Sequence, residues 1–303
     1  MSHGHSHNNE ISGRKLLFTI ILNFTITIAE VVGGILSNSL ALISDALHNF
    51  SDGVAVVIAY AANRISRRKP NYSKTYGYKR AEIIAAFVNA LVLAGISVFL
   101  FYEAALKIIN PEPIEGNIML IVAAIGLAAN LLAVIILKAD SGRNINIRAA
   151  YLHLLGDTFS SVGVIAGALI IIYLEFYLID PIVTFLIGIY ILKETYEILK
   201  ESIDILMQGA PGNIDSAAIV KDLIAIPEVG NVHHLHIWML NEHDIHFESH
   251  INLKSDISVE ATNPVRLAIA EILREKYRIS HITLQFETNN CCSSDAPGSE
   301  CCG

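Results

Sequence analysis

The chain has 303 residues, 53% of them hydrophobic and 17% charged, with a mean hydropathy of +0.49. That is too apolar for an ordinary soluble domain of this size and indicates a membrane protein. A formal net charge of −8 excludes the basic footprint of a nucleic-acid binder. Cys291, Cys292, Cys301 and Cys302 are the only cysteines, too close together to form a disulfide framework.

In chain order, residues 1–14 read as a polar tail carrying His3, His5 and His7. Two readings stay open for it, a loose metal-capturing arm and a tail without set structure. Six apolar runs follow, at 16–36, 40–62, 81–109, 117–137, 149–173 and 177–199, each near the ~20 residues that a bilayer span needs. They predict a six-helix transmembrane domain over 15–208. The first run is too long for a signal-peptide core, and no small-residue cleavage site follows it, so it is expected to be retained. Ser37, Asn38 and Ser39 join the first pair of runs. Asn110 to Pro113, Ser141-Gly142 and Asp180-Pro181 mark later breaks.

Lys and Arg set the expected orientation. Arg14 and Lys15 precede the first run, and the loop after the second holds Arg64, Arg67, Arg68, Lys69, Lys74, Lys79 and Arg80. Lys138, Arg143 and Arg148 flank the break after the fourth, while the alternate loops have almost no basic residues. Both termini are therefore expected in the cytoplasm, with the chain multi-pass in the cell membrane.

From residue 209 the pattern changes. A helix at 215–226, strands at 232–240 and 245–253 around an Asn241–Asp244 turn, a helix at 263–277 started by Pro264, and a strand at 282–286 are expected. That is a small α+β domain, α-β-β-α-β and ferredoxin-like, over 209–289. Residues 290–303 read as a flexible tail whose thiols, in a reducing cytoplasm, are free for soft metals.

The chemistry concentrates inside two runs. The second contains His48-x-x-x-Asp52 and the fifth His153-x-x-x-Asp157. Residues i and i+4 share one helix face, roughly 5–6 Å apart at Cβ. Two such helices packed face to face would converge two imidazoles and two carboxylates, a donor set suited to tetrahedral Zn²⁺. A single such pair reads equally well as polar glue between helices. Two pairs at similar depth favour a metal site, because ionisable groups inside a span are expensive. Asp45, one turn before His48, is open between a supporting partner, a proton carrier and a helix-start residue. Glu30 reads as a helix-packing residue.

These motifs resemble the cation diffusion facilitator family. The resemblance rests on Ser44-Asp45-Ala46-Leu47-His48-Asn49-Phe50-Ser51-Asp52, on Tyr76-Gly77-Tyr78-Lys79-Arg80-Ala81-Glu82, on His153-Leu154-Leu155-Gly156-Asp157 and on Val232-His233-His234-Leu235-His236-Ile237-Trp238. It implies a Y-shaped homodimer, proton-coupled efflux, and a transport site of His48, Asp52, His153 and Asp157. His at position 48 is similar to the zinc-preferring members. By motif position the resemblance also implies a cytoplasmic zinc site at His233, His250, His281 and Glu287. His234 competes with His233 for its place, since neighbouring strand residues face opposite ways and only one can join the site, and His246 can substitute from the face of His250. Some members bind an ion in the loop before the third span; Lys74 and Tyr78 stand there in this chain, so no metal is expected.

The function expected is efflux of divalent cations, Zn²⁺ foremost, in exchange for protons, with Zn²⁺ both substrate and regulatory ligand. Metal and protons compete for the same lone pairs, and an imidazole titrates in the range that exchange needs. No enzyme is expected, for there is no His-Glu-x-x-His run, and no P-loop offers ATP as an energy source. The alternative is a membrane-anchored metal sensor without transport, which the ligands inside the spans disfavour.

Overall fold

A computed structural model of the chain describes residues 5–141, 145–241 and 243–288, with side chains over 21–138, 151–241 and 243–288. His3, the four cysteines and the side chains of His5 and His7 lie outside the described residues. The chain divides into two compact units, Met1–Ala61 with Ala86–Leu199, and Ala62–Ala85 with Lys200–Gly303. The segment between the second and third runs thus belongs to the same unit as the C-terminal domain, not to the helical unit.

The first unit contains six long helices: α1 His5–Ser37, α2 Leu40–Ser66, α3 Ala81–Ile109, α4 Gly116–Ser141, α5 Ile145–Leu174 and α6 Ile179–Leu206, with the ends of α2, α3 and α6 running into the second. Among the described residues, four stretches are long and apolar enough to cross a membrane: Leu40–Ser66, Ala81–Ile109, Gly116–Lys138 and Tyr151–Leu174. Ile21–Ser37 of α1 is apolar but shorter. α6 carries Lys193, Glu194 and Glu197 in its C-terminal half, so its uncharged stretch is short. Leu42, Met119, Val164, Ala168 and Ile191 fill the interior. Ile28, Phe99, Ile135, Phe159 and Leu186 stay exposed on the outside, which a soluble bundle would not tolerate in such number. Gly188 lets α6 approach closely, because a Cβ there would meet the Phe101 ring.

Polar groups tie the helix ends together. Asn38 turns the chain between α1 and α2 at φ 58°, a left-handed conformation that asparagine tolerates. Lys107 Nζ holds this turn by donating to Asn38 O at 2.5 Å and to its Oδ1 at 2.8 Å. Asp180, a turn marker in the sequence, also caps a different helix. Its carboxylate accepts from Ser39 Oγ at 2.5 Å, Leu40 N at 2.9 Å and Ala41 N at 3.2 Å, which satisfies first-turn donors of α2.

The second unit contains α7 Ser216–Ile224, β1 Val229–Met239, β2 Ile245–Leu253, α8 Thr262–Tyr277 and β3 His281–Thr288. This is the β-α-β-β-α-β succession of a ferredoxin-like fold without its leading strand among the described residues. The sheet order is β1-β2-β3, with β1 and β2 antiparallel and β2 and β3 parallel. Asn241 Oδ1 accepts from His243 N and Asp244 N at 2.9 and 2.7 Å, which closes the hairpin. Asp215 caps α7 through Ala217 N. Phe247 and Ile251 of β2 pack with Ile219, Leu223, Ile269 and Leu273 into an apolar core under the sheet.

Candidate metal centres

The α2 and α5 motifs meet. One turn of helix separates His48 from Asp52 and His153 from Asp157, so each pair projects from one face. His48 Nε2 lies 3.5 Å from Asp52 Oδ2 and 3.7 Å from Asp157 Oδ1. His153 Nε2 lies 3.1 Å from Asp52 Oδ2 and 3.7 Å from Asp157 Oδ2. The two imidazole rings are 5.9 Å apart. Each histidine therefore faces the carboxylate of its own helix and that of the other. His48 and Asp157 are buried, whereas the His153 side chain is 40% exposed and forms the open side of the cluster. Both ring nitrogens of His48, Asp52 Oδ2 and Asp157 Oδ2 are buried without hydrogen-bond partners. Left as they are, such atoms cost about 1–3 kcal/mol each. Two imidazoles and two carboxylates in this arrangement fit a divalent cation with zinc's ligand preference.

A polar layer supports the cluster. Ser160 Oγ and Ser161 Oγ of α5 both donate to the Asp45 carboxylate, the latter at 3.3 Å. Asn49 Nδ2 donates to Glu30 Oε2 of α1 at 3.1 Å. Asp45 and Glu30 are both buried. Asp45 is thus a partner of α5, not a helix-start residue near the hairpin.

A second cluster forms in the sheet. The register sets His233 opposite His250 and Asn252 opposite Glu287. His233 Nε2 is 3.3 Å from Glu287 Oε2, and His250 Nδ1 is 2.8 Å from Glu287 Oε1. One donor atom from each of the three lies within 4.8 Å of the others. Both nitrogens of the buried His233 make no hydrogen bond, so this set also fits a metal. His281 does not join it. The parallel register pairs His281 with His246, four positions back along the strand from the pairing of His250 with Gln285, or about 13 Å away. His246 is correspondingly far from His250 and cannot substitute in that set. The expected alternation of His233 and His234 also fails. β1 is irregular between His233 and His236, and His234 adopts φ 50°. A bulge of this kind re-aims side chains: the His234 ring lies 4.7 Å from that of His250, and the His233 ring 5.4 Å.

Residues 16–207 match the cation efflux transmembrane domain, and residues 211–289 match the cytoplasmic domain of cation efflux proteins. The chain belongs to the cation efflux family. It is 42% identical to the zinc transporter ZitB of Pectobacterium atrosepticum, over 96% of this chain and 90% of that protein. It is 39% identical to the metal cation efflux system protein CzcD of Cupriavidus metallidurans, over 98% and 93%. A cadmium, cobalt and zinc/H(+)-K(+) antiporter of Bacillus subtilis is 37% identical, over 94% and 92%.

In this cation efflux protein, two residues that support the first centre escape a sequence reading. Ser160 and Ser161 lie three and four positions after Asp157, on its helix face, and that spacing is the one signal that could have found them. Nothing local marks the His233–His236 bulge. In the segment before α3, Lys79 Nζ binds Asp244 Oδ2 at 2.8 Å. Against the effect of burial, that ammonium holds the Asp244 carboxyl below the usual range. Burial and then the neighbouring His281 hold the His246 imidazole below its ordinary value, which keeps it neutral.

Proposed function

We propose that this chain exports divalent cations, zinc foremost, from the cytoplasm in exchange for protons, as a homodimer with six spans per chain and both termini in the cytoplasm. The observation that carries the reading is the convergence of His48, Asp52, His153 and Asp157 on two long apolar helices. Charged groups at that depth are functional by default, and the curated relatives carry names of zinc transport, cation efflux and metal/proton antiport. The net −2 of the two carboxylates offsets the charge of the ion in a low dielectric. α1 and α6 complete the six spans; the basic residues before α1 and between α2 and α3 keep those sides cytoplasmic.

The cycle follows from the ligands. Deprotonated His and Asp side chains take the ion from the cytoplasmic side. The bundle then exposes the cluster to the other side, where protons compete for the imidazole nitrogens and release the ion. Each helix contributes two ligands, so a small shift of α2 against α5 breaks several bonds at once. His233, His250 and Glu287, with His234 at hand, hold a second ion that responds to cytoplasmic metal.

Zinc flux into proteoliposomes tests the reading. His48→Ala and Asp157→Ala should each reduce flux by about 100-fold or more, since the loss of even an outer-shell partner costs 10–100-fold. Unchanged flux in both variants would overturn the four-ligand transport site. No flux from the intact protein would favour a membrane-anchored metal sensor.

A further inference from the structure

The corner between α8 and β3 builds a second histidine pair. Arg278 leaves the helix at φ 56°, and Ile279 N bonds back to Leu273 O at 3.0 Å. Ser280 then donates to Ile245 O from its backbone N at 3.0 Å and from its Oγ at 2.9 Å. These bonds pin the start of β3 to the start of β2, which sets His281 opposite His246 with their rings 4.6 Å apart. Trp238 of β1 stacks on His246 at 5.1 Å and 24°. Tyr76 turns its ring edge-on to both histidines, at 5.2 and 6.5 Å. His246 is 3% exposed, and its Nδ1 is buried without a hydrogen-bond partner. His281 is exposed, so the pair is open to solvent. Asp244, two residues before His246 on the hairpin, is the carboxylate held by Lys79.

We infer that His246 and His281 form a further divalent-cation site, separate from the His233–His250–Glu287 cluster, and that Asp244 leaves Lys79 to become its third ligand when the ion binds. Two imidazoles and a carboxylate are a donor set for Zn²⁺, with solvent as the fourth ligand. A buried imidazole nitrogen without a partner is costly in a packed domain and is relieved by a metal bond. Lys79 and the ion then compete for one carboxylate. Filling the site removes the contact that ties the segment before α3 to the hairpin.

Trp238 is the chain's single tryptophan, so its emission reports on His246 directly. The full-length protein in detergent micelles is titrated with Zn²⁺. A saturable change in emission is expected, lost in His281→Ala and in His281→Asn, and retained in His250→Ala and Asp157→Ala. Elemental analysis of the purified protein should show about one zinc ion per chain fewer in His281→Ala. Lys79→Gln should move the midpoint to about 2–5-fold lower zinc, the scale of one exposed ion pair. Mere packing of the rings would leave zinc content and midpoint unmoved in these variants. That result, or a signal lost in His250→Ala and kept in His281→Ala, would overturn the assignment. The readout is binding and not flux, so a failure of transport would leave this site standing.

Discussion

His48 and Asp157 are each contacted from both helices of the pair, and behind them Asp45 accepts hydrogen bonds from Ser160 and Ser161. Asp45 therefore locks the rotation of α2 against α5, which sets where His48 points. Changing both serines to Ala should leave a buried carboxylate without its donors and lower zinc flux by about 10–100-fold, the usual cost of losing outer-shell support. Flux equal to wild type would reduce Asp45 to a packing role. In the second unit, Asp222 joins α7 to α8: its Oδ2 accepts from Lys276 Nζ at 2.5 Å and from Tyr277 Oη at 2.6 Å. Those two donors hold its carboxyl below the ordinary 3.8. A depressed carboxyl stabilises the fold above its unfolded pKa, and that stabilisation is lost as pH falls through the folded value. Asp222→Asn should lower the melting temperature at neutral pH, and the gap to wild type should close in strong acid. A gap that persists in acid would assign the effect to packing instead.

At the scale of elements, two joints matter most. β2 is the central strand of the sheet, and Phe247 is its fully buried anchor. Phe247→Ala should cost about 3–5 kcal/mol, by lost burial plus the cavity left behind. The unfolding transition of the second unit, followed at Trp238, is the measurement; a loss under 1 kcal/mol would mean that the core can collapse around the gap. The α1–α2 hairpin depends on Asp180 from α6, which closes the first turn of α2. Removing the cap with Asp180→Ala should destabilise the start of α2 by about 1–2 kcal/mol. The expected readout is a lower melting temperature in micelles, and an unchanged value would show that solvent or Ser39 replaces the cap.

For the whole molecule, the energetic question is what drives the ion out. An ion held by four ligands in a low dielectric leaves slowly unless something takes its place, and imidazoles accept protons near neutral pH. With the proposed orientation, both termini in the cytoplasm, an inverted vesicle presents the loading side to the medium. Zinc uptake against its gradient should then need an acid interior and should stop when a protonophore collapses the gradient. Uphill uptake that persists without a proton gradient would point to another counter-ion, with potassium the first to test. The outward faces of the helices, with Phe99, Ile135 and Leu186 exposed, fit a lipid environment.

What the sequence determined by itself is what depends on local periodicity. The long apolar runs, the α-β-β-α-β succession and the i, i+4 pairing of His48 with Asp52 and of His153 with Asp157 follow from 3.6- and 2-residue repeats, which act over one or two turns. The tertiary structure alone decided which residues meet across the chain. His233, His250 and Glu287 converge, and His281 turns to His246, because one bulge in β1 and one tight corner after α8 fix the register of three strands. A slip of one residue would exchange the faces of every side chain on a strand. Asp180 capping α2 and Ser160 holding Asp45 likewise depend on helices brought together by packing: spacing puts Ser160 on the face of Asp157, but only packing brings that face to Asp45.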